Sequence, residues 1–200
     1  AILPLLGVGG MQLYKAEIAG PVKDSKLTPR IAETARLLWL VYAGITAACV
    51  VCLKFAGMNW FDAICHSFAT LGLGGFSTHD ASVGFYNSPE IEAVLIVFML
   101  ISAMNFSVHY QMIHQVSLKP YLHDPEAIPM LLLLTLSTLL CAGYLVHFDI
   151  YGDFQTSLRH VAFNLVSIAT DCGFVSTDYG LWPAFVPWWM LYLSCISACT

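Results

Sequence analysis

The sequence predicts an all-α integral membrane fold in which a unit of helix, short dipping segment and helix occurs twice. Three observations carry that prediction. The 200 residues are 58% hydrophobic and only 10% charged, with a mean hydropathy of +0.72, whereas soluble domains are about half apolar and about a quarter charged. Apolar runs close to the roughly 20 residues that cross a bilayer alternate with runs too short to cross. Two similar glycine-bearing stretches follow the short runs: His66-Ser67-Phe68-Ala69-Thr70-Leu71-Gly72-Leu73-Gly74-Gly75-Phe76-Ser77-Thr78 and Ala169-Thr170-Asp171-Cys172-Gly173-Phe174-Val175-Ser176-Thr177. Each holds a Gly-Phe pair with hydroxyls after it, and Gly75 and Gly173 set the offset at 173 − 75 = 98 residues. A repeat of that length governs how the whole chain is read.

Residues 1–36 read as the end of a first-unit helix followed by a linker. Ala1 to Leu13 is apolar, broken by Pro4, Gly7, Gly9 and Gly10. No basic segment precedes this run, so no signal peptide is expected. No methionine opens the chain, which is expected to be a portion of a longer protein. Lys15 to Arg36 is the one clearly polar segment and holds Lys15, Lys23, Lys26, Arg30 and Arg36, five of the eight Lys and Arg. Basic residues in short loops favour the cytoplasm, which orients everything after it.

The unit 37–114 opens with the apolar run Leu37 to Ala56, long enough to span. It is expected to run outward, with Lys54 reaching the outer interface. Trp60 to Leu71 is too short to cross and reads as re-entrant. The first glycine stretch comes next, then polar residues from His79 to Glu92, then a single spanning run from Ile91 to Ile113 that returns to the cytoplasm. Residues 115–126 form an inner loop with Lys119, Pro120 and His123. The unit 127–200 repeats the plan. It has a spanning helix over Ile128 to Phe148, a short segment over Phe154 to Ala169, the second glycine turn, and a last helix, truncated, begun over Trp182 to Thr200. Trp182, Trp188 and Trp189 are expected at its outer interface.

The net charge of −5 and the lack of a basic patch with interleaved aromatics give no support to nucleic-acid binding. The seven cysteines lie almost entirely in apolar runs and read as small buried hydrophobes. Cys49-Val50-Val51-Cys52 has a redox spacing without the βαβ setting that gives it meaning. No nucleophile with its base, phosphate-cradling loop or zinc spacing is present, so neither enzyme activity nor an organic cofactor is expected. His66 and His109 lie inside apolar runs and read as packed histidines, although ionisable groups in a membrane are functional candidates by default. Asn105-Phe106-Ser107 matches a glycosylation sequon at a helical depth that makes the match accidental.

Taken alone, one glycine stretch of this kind reads equally as an outer loop or as a pore loop. Two copies, each after a segment too short to cross, favour the pore loop. Irregular backbone at membrane depth is tolerated only where it is buried in protein or lines a water-filled cavity. Backbone carbonyls in such a turn can replace the water shell of a cation, and the C-terminal end of the preceding short helix adds partial negative charge. Asp62, Asp80, Glu90, Glu92, Asp149, Asp153 and Asp178 fall on the expected outer side and Asp171 inside the second turn, eight of the thirteen Asp and Glu. Like-signed charge around a cleft concentrates counter-ions, cations in this case. Individually, most of these acids read as solvated loop residues.

The residues His66 to Thr70 followed by Gly74-Gly75-Phe76-Ser77-Thr78-His79-Asp80 resemble the Trk/Ktr/HKT superfamily of potassium transporters, and most of all its bacterial TrkH/TrkG branch. Leu5-Leu6-Gly7-Val8-Gly9-Gly10-Met11-Gln12 and Arg30-Ile31-Ala32-Glu33-Thr34-Ala35 resemble that branch too, so the likeness covers essentially the whole chain. It implies four helix–pore-loop–helix repeats around one pore, potassium-channel-like, of which this chain carries two, with Ala1 to about Met11 ending the first. It implies translocation of a monovalent cation, K+, through a backbone-carbonyl selectivity filter. The filter positions carry over as Leu73, Gly74, Gly75 and Phe76 and as Asp171, Cys172, Gly173 and Phe174, with K+ held at Leu73, Gly74, Gly75, Asp171, Cys172 and Gly173. In the plant branch, glycine at the key filter position goes with potassium and serine with sodium; both key positions here are glycine. A hydroxyl residue is usual where Asp171 stands, so Asp171-Cys172 puts an acid close to the ion path, with a bearing on affinity and ion choice. Asn105, Ser107 and His109 fall in the second repeat's inner helix, and the family's glycine-rich gating loop falls beyond residue 200. The resemblance further implies a multi-pass protein of the bacterial inner membrane, embedded in lipid, forming a homodimer and binding a cytoplasmic nucleotide-binding regulatory subunit of the TrkA type. The resemblance leaves the driving force open between the membrane potential alone and symport with a coupled ion. The alternative is a non-conducting structural or assembly subunit of a membrane complex.

Overall fold

A computed structural model of the chain describes residues 31–115, 120–121, 124 and 126–197. The expected helix end over Ala1 to Leu13 and the linker up to residue 30 lie outside the described residues, as does most of the inner loop. Helix α1 (Ile31–Phe55) begins ahead of the apolar run, because Ile31 to Arg36 holds neither Pro nor Gly and includes good helix formers. The short helix α2 (Trp60–Leu71) starts at Asn59, whose side chain accepts the N–H of Asp62. Ser88 caps α3 (Pro89–Ala103), with Pro89 in the first turn, where its missing N–H costs nothing. Helix α4 (Phe106–Gln115) follows. In the second unit α5 (Ala127–His147) spans, α6 (Phe154–Ala169) dips after an Asp153 cap, and α7 (Phe185–Ser197) returns. Short 3-10 turns lie at Ser82–Phe85 and Tyr179–Leu181. Among the described residues there is no strand.

The single run expected over Ile91 to Ile113 is two helices. Met104 is extended, with ψ 156°, and ends α3. Neither Pro nor Gly lies there. The Ile101 carbonyl, which a continuous helix would pair with the N–H of Asn105, accepts from the Met104 N–H (3.2 Å) and from His109 Nε2 (2.8 Å). A side chain inserted into the backbone ladder is a recognised cause of a kink. His109 is buried, and its Nδ1 accepts from the Tyr121 hydroxyl.

Two apolar clusters hold the units together. The first gathers Cys49, Leu53, Met58, Leu95 and Met99 with Phe163, Val166, Cys172 and Phe174 of the second unit. The other gathers Leu134, Cys141, Leu145, Val161, Leu165, Val186 and Met190. Helix α6 feeds both, so it is the wedge between the units. Helices α1 and α5 are apolar on the outside as well: only 17% and 33% of their most apolar windows are buried. Apolar surface on that scale needs an apolar surrounding. Trp188 is exposed, as an interface residue should be, but Trp182 is buried and donates from Nε1 to the Tyr151 hydroxyl at 2.8 Å. It serves packing and not the interface expected for it. Lys54 turns back to the Met58 carbonyl (3.2 Å) and lies over the Trp60 ring.

Candidate functional site

The two short helices end in the same backbone. After α2, the N–H groups of Gly72, Leu73 and Gly74 donate to the carbonyls of Phe68 (2.9 Å), Thr70 (3.2 Å) and Ala69 (2.8 Å). After α6, those of Thr170, Asp171 and Cys172 donate to Val166 (2.9 Å), Ile168 (3.0 Å) and Ser167 (2.9 Å). Each pair in the second set lies 98 residues on from its counterpart. The dihedrals repeat too: Leu73 and Gly75 are left-handed at φ 49° and 61°, Asp171 and Gly173 at 58° and 90°, and the residue between them is not. Such alternation gathers N–H groups on one side of the chain and carbonyls on the other. The leading N–H groups are taken up by the helix ends. Among the described residues, no hydrogen bond reaches the carbonyls of Leu73, Gly74, Gly75, Asp171 or Gly173. Free carbonyls at the negative end of a helix can serve as ligands for a cation.

The turns touch each other. A Cβ built on Gly75 would lie 2.2 Å from the Cys172 carbonyl oxygen and 2.9 Å from the Gly173 carbonyl carbon. Phe174 is fully buried and stacks on His66 of α2, with ring centroids 5.6 Å apart. Phe76, its counterpart, is 81% exposed. Gly84 N–H donates to the Val175 carbonyl (3.0 Å) and Val175 N–H to Ser82 Oγ (3.2 Å), so the first outer loop braces the second turn.

Each short helix pins its own turn from behind. His66 Nδ1 donates to the Asp62 carbonyl (2.8 Å); that fixes the tautomer, and Nε2 accepts from the Ser77 hydroxyl (2.9 Å). Asn164, 98 residues on from His66, donates from Nδ2 to the His160 carbonyl and to Ser176 Oγ, both 2.9 Å, and accepts the Ser176 N–H on Oδ1 (3.2 Å). Ser167 Oγ adds a bond to the Phe174 carbonyl (2.7 Å). From the following helix, Ser102 Oγ donates to the Leu71 carbonyl (2.7 Å). Residues as unlike as His66 and Asn164 do one job, and nothing in their identities announced it.

The outer acids divide. Asp80, Glu90, Asp149, Asp153 and Asp178 are exposed. The Thr156 backbone N–H holds the Asp153 carboxyl below the usual carboxylate range. Asp62 and Glu92 are buried and engaged within the protein. Glu92 receives Arg159 bidentately, Nε to Oε2 and Nη2 to Oε1 at 2.8 Å each, and Arg159 Nη2 also reaches Asn87 Oδ1 (3.0 Å). That clamp joins α6 to the outer end of α3. Asp171 is exposed, and its Oδ1 accepts from the Ser194 hydroxyl on α7.

Asp62 organises the mouth of the first turn. Its Oδ1 accepts from Thr78 Oγ1 (2.6 Å), and its Oδ2 from Asn59 Nδ2 (2.7 Å), the Tyr86 hydroxyl (2.6 Å) and His79 Nε2 (3.2 Å). The sequence showed Asp62 only as one acid among several; the Asn59-x-x-Asp62 cap spacing was the available signal. Asp62→Asn is isosteric but faces its NH2 at donors whichever way the amide turns. A stranded donor costs about 1–3 kcal/mol. The expected result is a lower unfolding temperature of the purified full-length protein, read by thermal denaturation in detergent; an unchanged midpoint would show that the hub carries no strain of this kind.

Comparison with known proteins identifies the family. Residues 1–200 match the TrkH family, described as a cation transport protein. The chain is 47% identical over 199 residues to the Trk system potassium uptake protein TrkH of Salmonella typhimurium, covering 100% of this chain and 41% of that protein. It is 42% identical over 200 residues to the Trk system potassium uptake protein TrkG of Escherichia coli, with the same coverage. The crystal structure of the potassium transporter TrkH from Vibrio parahaemolyticus superposes with a TM-score of 0.79 at 40% identity, covering 96% of this chain and 38% of that one. The chain therefore spans about two fifths of the length of these relatives. All-helical among its described residues and matched from end to end, it belongs to the TrkH family of cation transport proteins.

Proposed function

We propose that this chain supplies two of the four walls of a K+ pathway, with Leu73 to Phe76 and Asp171 to Phe174 as two quarters of its selectivity filter. The observation that carries the reading is the pair of turns with matching backbone and free carbonyls, each set on the end of a short helix. K+ is held by the carbonyls of Leu73, Gly74, Gly75, Asp171, Cys172 and Gly173, while Phe174 packs behind. The relatives' names, Trk system potassium uptake proteins, support K+ as the cargo. In the complete protein the pathway lies in a bacterial inner membrane, in a homodimer that takes a nucleotide-binding regulatory subunit of the TrkA type. Five of the seven outer acids are exposed and remain to draw cations to the mouth, with Asp171 exposed in the second turn.

The test is growth of a K+-uptake-deficient strain carrying the full-length gene. Rescue at low K+ that excess Na+ does not block supports the reading. Correct membrane insertion without rescue would overturn it in favour of the non-conducting structural subunit.

A further inference from the structure

Asp171 is the one charged residue in either turn, and its setting assigns its side chain a task other than holding the ion. It occupies the left-handed position that Leu73 fills in the first turn. Leu73 packs against the apolar cluster shared by the two units. Asp171 instead receives the Ser194 hydroxyl from α7 on Oδ1, while its own N–H is tied to the Ile168 carbonyl at 3.0 Å. The residue is thus held on one side by the end of α6 and on the other by α7. Its neighbour Cys172 is buried, and the Cys172 carbonyl is the atom against which Gly75 of the first turn abuts. A shift of Asp171 would move that carbonyl, and with it the contact between the two turns.

We infer that Asp171 and Ser194 form a strut that fixes the second glycine turn against α7 and so sets the discrimination between K+ and Na+. Asp171 is a positioning residue: its carboxylate acts on the backbone and does not ligate the ion. The inference rests on the filter reading above. A hydrogen bond to a charged group is the stronger kind. Losing it lets the turn relax, and a smaller ion can then be accommodated. The competing account is a field effect, in which the negative charge of Asp171 simply attracts cations.

Two substitutions separate these accounts. Ser194→Ala keeps the charge and removes the strut. Asp171→Asn removes the charge and keeps an oxygen for Ser194 to bond. The full-length protein is reconstituted in liposomes, and K+ and Na+ influx are measured as competing fluxes, with Ser194→Thr as the hydroxyl-restoring control. The strut predicts that Ser194→Ala loses about tenfold of K+ over Na+ discrimination, the factor that one such bond corresponds to. It predicts that Ser194→Thr, which restores the hydroxyl, stays within about twofold of the parent, and that Asp171→Asn, which keeps the oxygen but weakens the bond, loses less discrimination than Ser194→Ala. Unchanged discrimination in a monodisperse Ser194→Ala protein overturns the strut while the filter reading stands. Reduced K+ throughput in Asp171→Asn with Ser194→Ala unaffected overturns it in favour of the field. A parent protein that does not distinguish K+ from Na+ removes the filter reading itself, and the strut with it.

Discussion

Gly75→Ala is expected to lower K+ uptake by the full-length protein at least about tenfold at equal membrane expression, while Gly143→Ala leaves it unchanged. The reason is local and has two parts. Gly75 sits at φ 61°, where a side chain costs about 1–2 kcal/mol. A methyl there also meets the Cys172 carbonyl oxygen at 2.2 Å and Gly173 at 2.9 Å. These are backbone atoms, so no side chain can rotate away, and overpacking of that kind costs about 1–3 kcal/mol. Each 1.4 kcal/mol is about a factor of ten. The other turn glycines grade below it. Gly173 is left-handed at 90° but has nothing within 4 Å of a built Cβ, so Gly173→Ala carries only the dihedral cost. At Gly74 the contact is the exposed Phe76 ring at 3.3 Å, which can give. Gly143, on α5, faces open space and tolerates alanine. Uptake assays on the four variants test the order, and a Gly75→Ala protein as active as Gly143→Ala would sink the filter assignment.

Arg159→Ala is expected to be the most destabilising single truncation at the outer rim, and more harmful than Glu92→Gln. The pair is bidentate, but its two ends are not equally buried: the Arg159 side chain is 26% exposed and that of Glu92 3%. Without Arg159, Glu92 is a buried charge with no partner, a situation that costs about 3–5 kcal/mol. Without the Glu92 charge, Arg159 can still reach water and Asn87, so the loss is nearer the about 1–3 kcal/mol of an unmade hydrogen bond. Arg159→Lys should recover only part, because an ammonium cannot form the two-pronged contact. Thermal unfolding of the purified full-length variants decides the order. Equal losses for Arg159→Ala and Glu92→Gln would show that the pair acts as a solvated rim contact.

What the sequence revealed and what it hid divide by range. The short helices were legible because their lengths are local: each apolar run is too short to cross, and the glycine turns end them. The equivalence of the turns was legible because Gly-Phe recurs at a fixed offset. The break at Met104 was not, since it has no Pro or Gly and depends on a bond from the buried His109 to Ile101. The Arg159–Glu92 clamp joins residues that read separately as loop charges and meet only when α6 packs on α3. Phe76 and Phe174 are the same residue at the same register, yet one is exposed and the other buried on His66. Identity in a repeat fixes backbone, while neighbours fix environment.

The contact between Gly75 and Cys172 has a consequence for biosynthesis. The earlier turn is completed by a residue made almost one full repeat later. At about 5–20 residues per second of synthesis, that neighbour emerges on the order of 5–20 s afterwards. In the interval the earlier turn rests on bonds from its own unit, chiefly Gly74 to Ala69 and Thr78 to Asp62. Substitutions that weaken those bonds act on the nascent chain before pairing, and their first symptom should be lower yield at the membrane, with the molecules that do mature carrying ions at the ordinary rate.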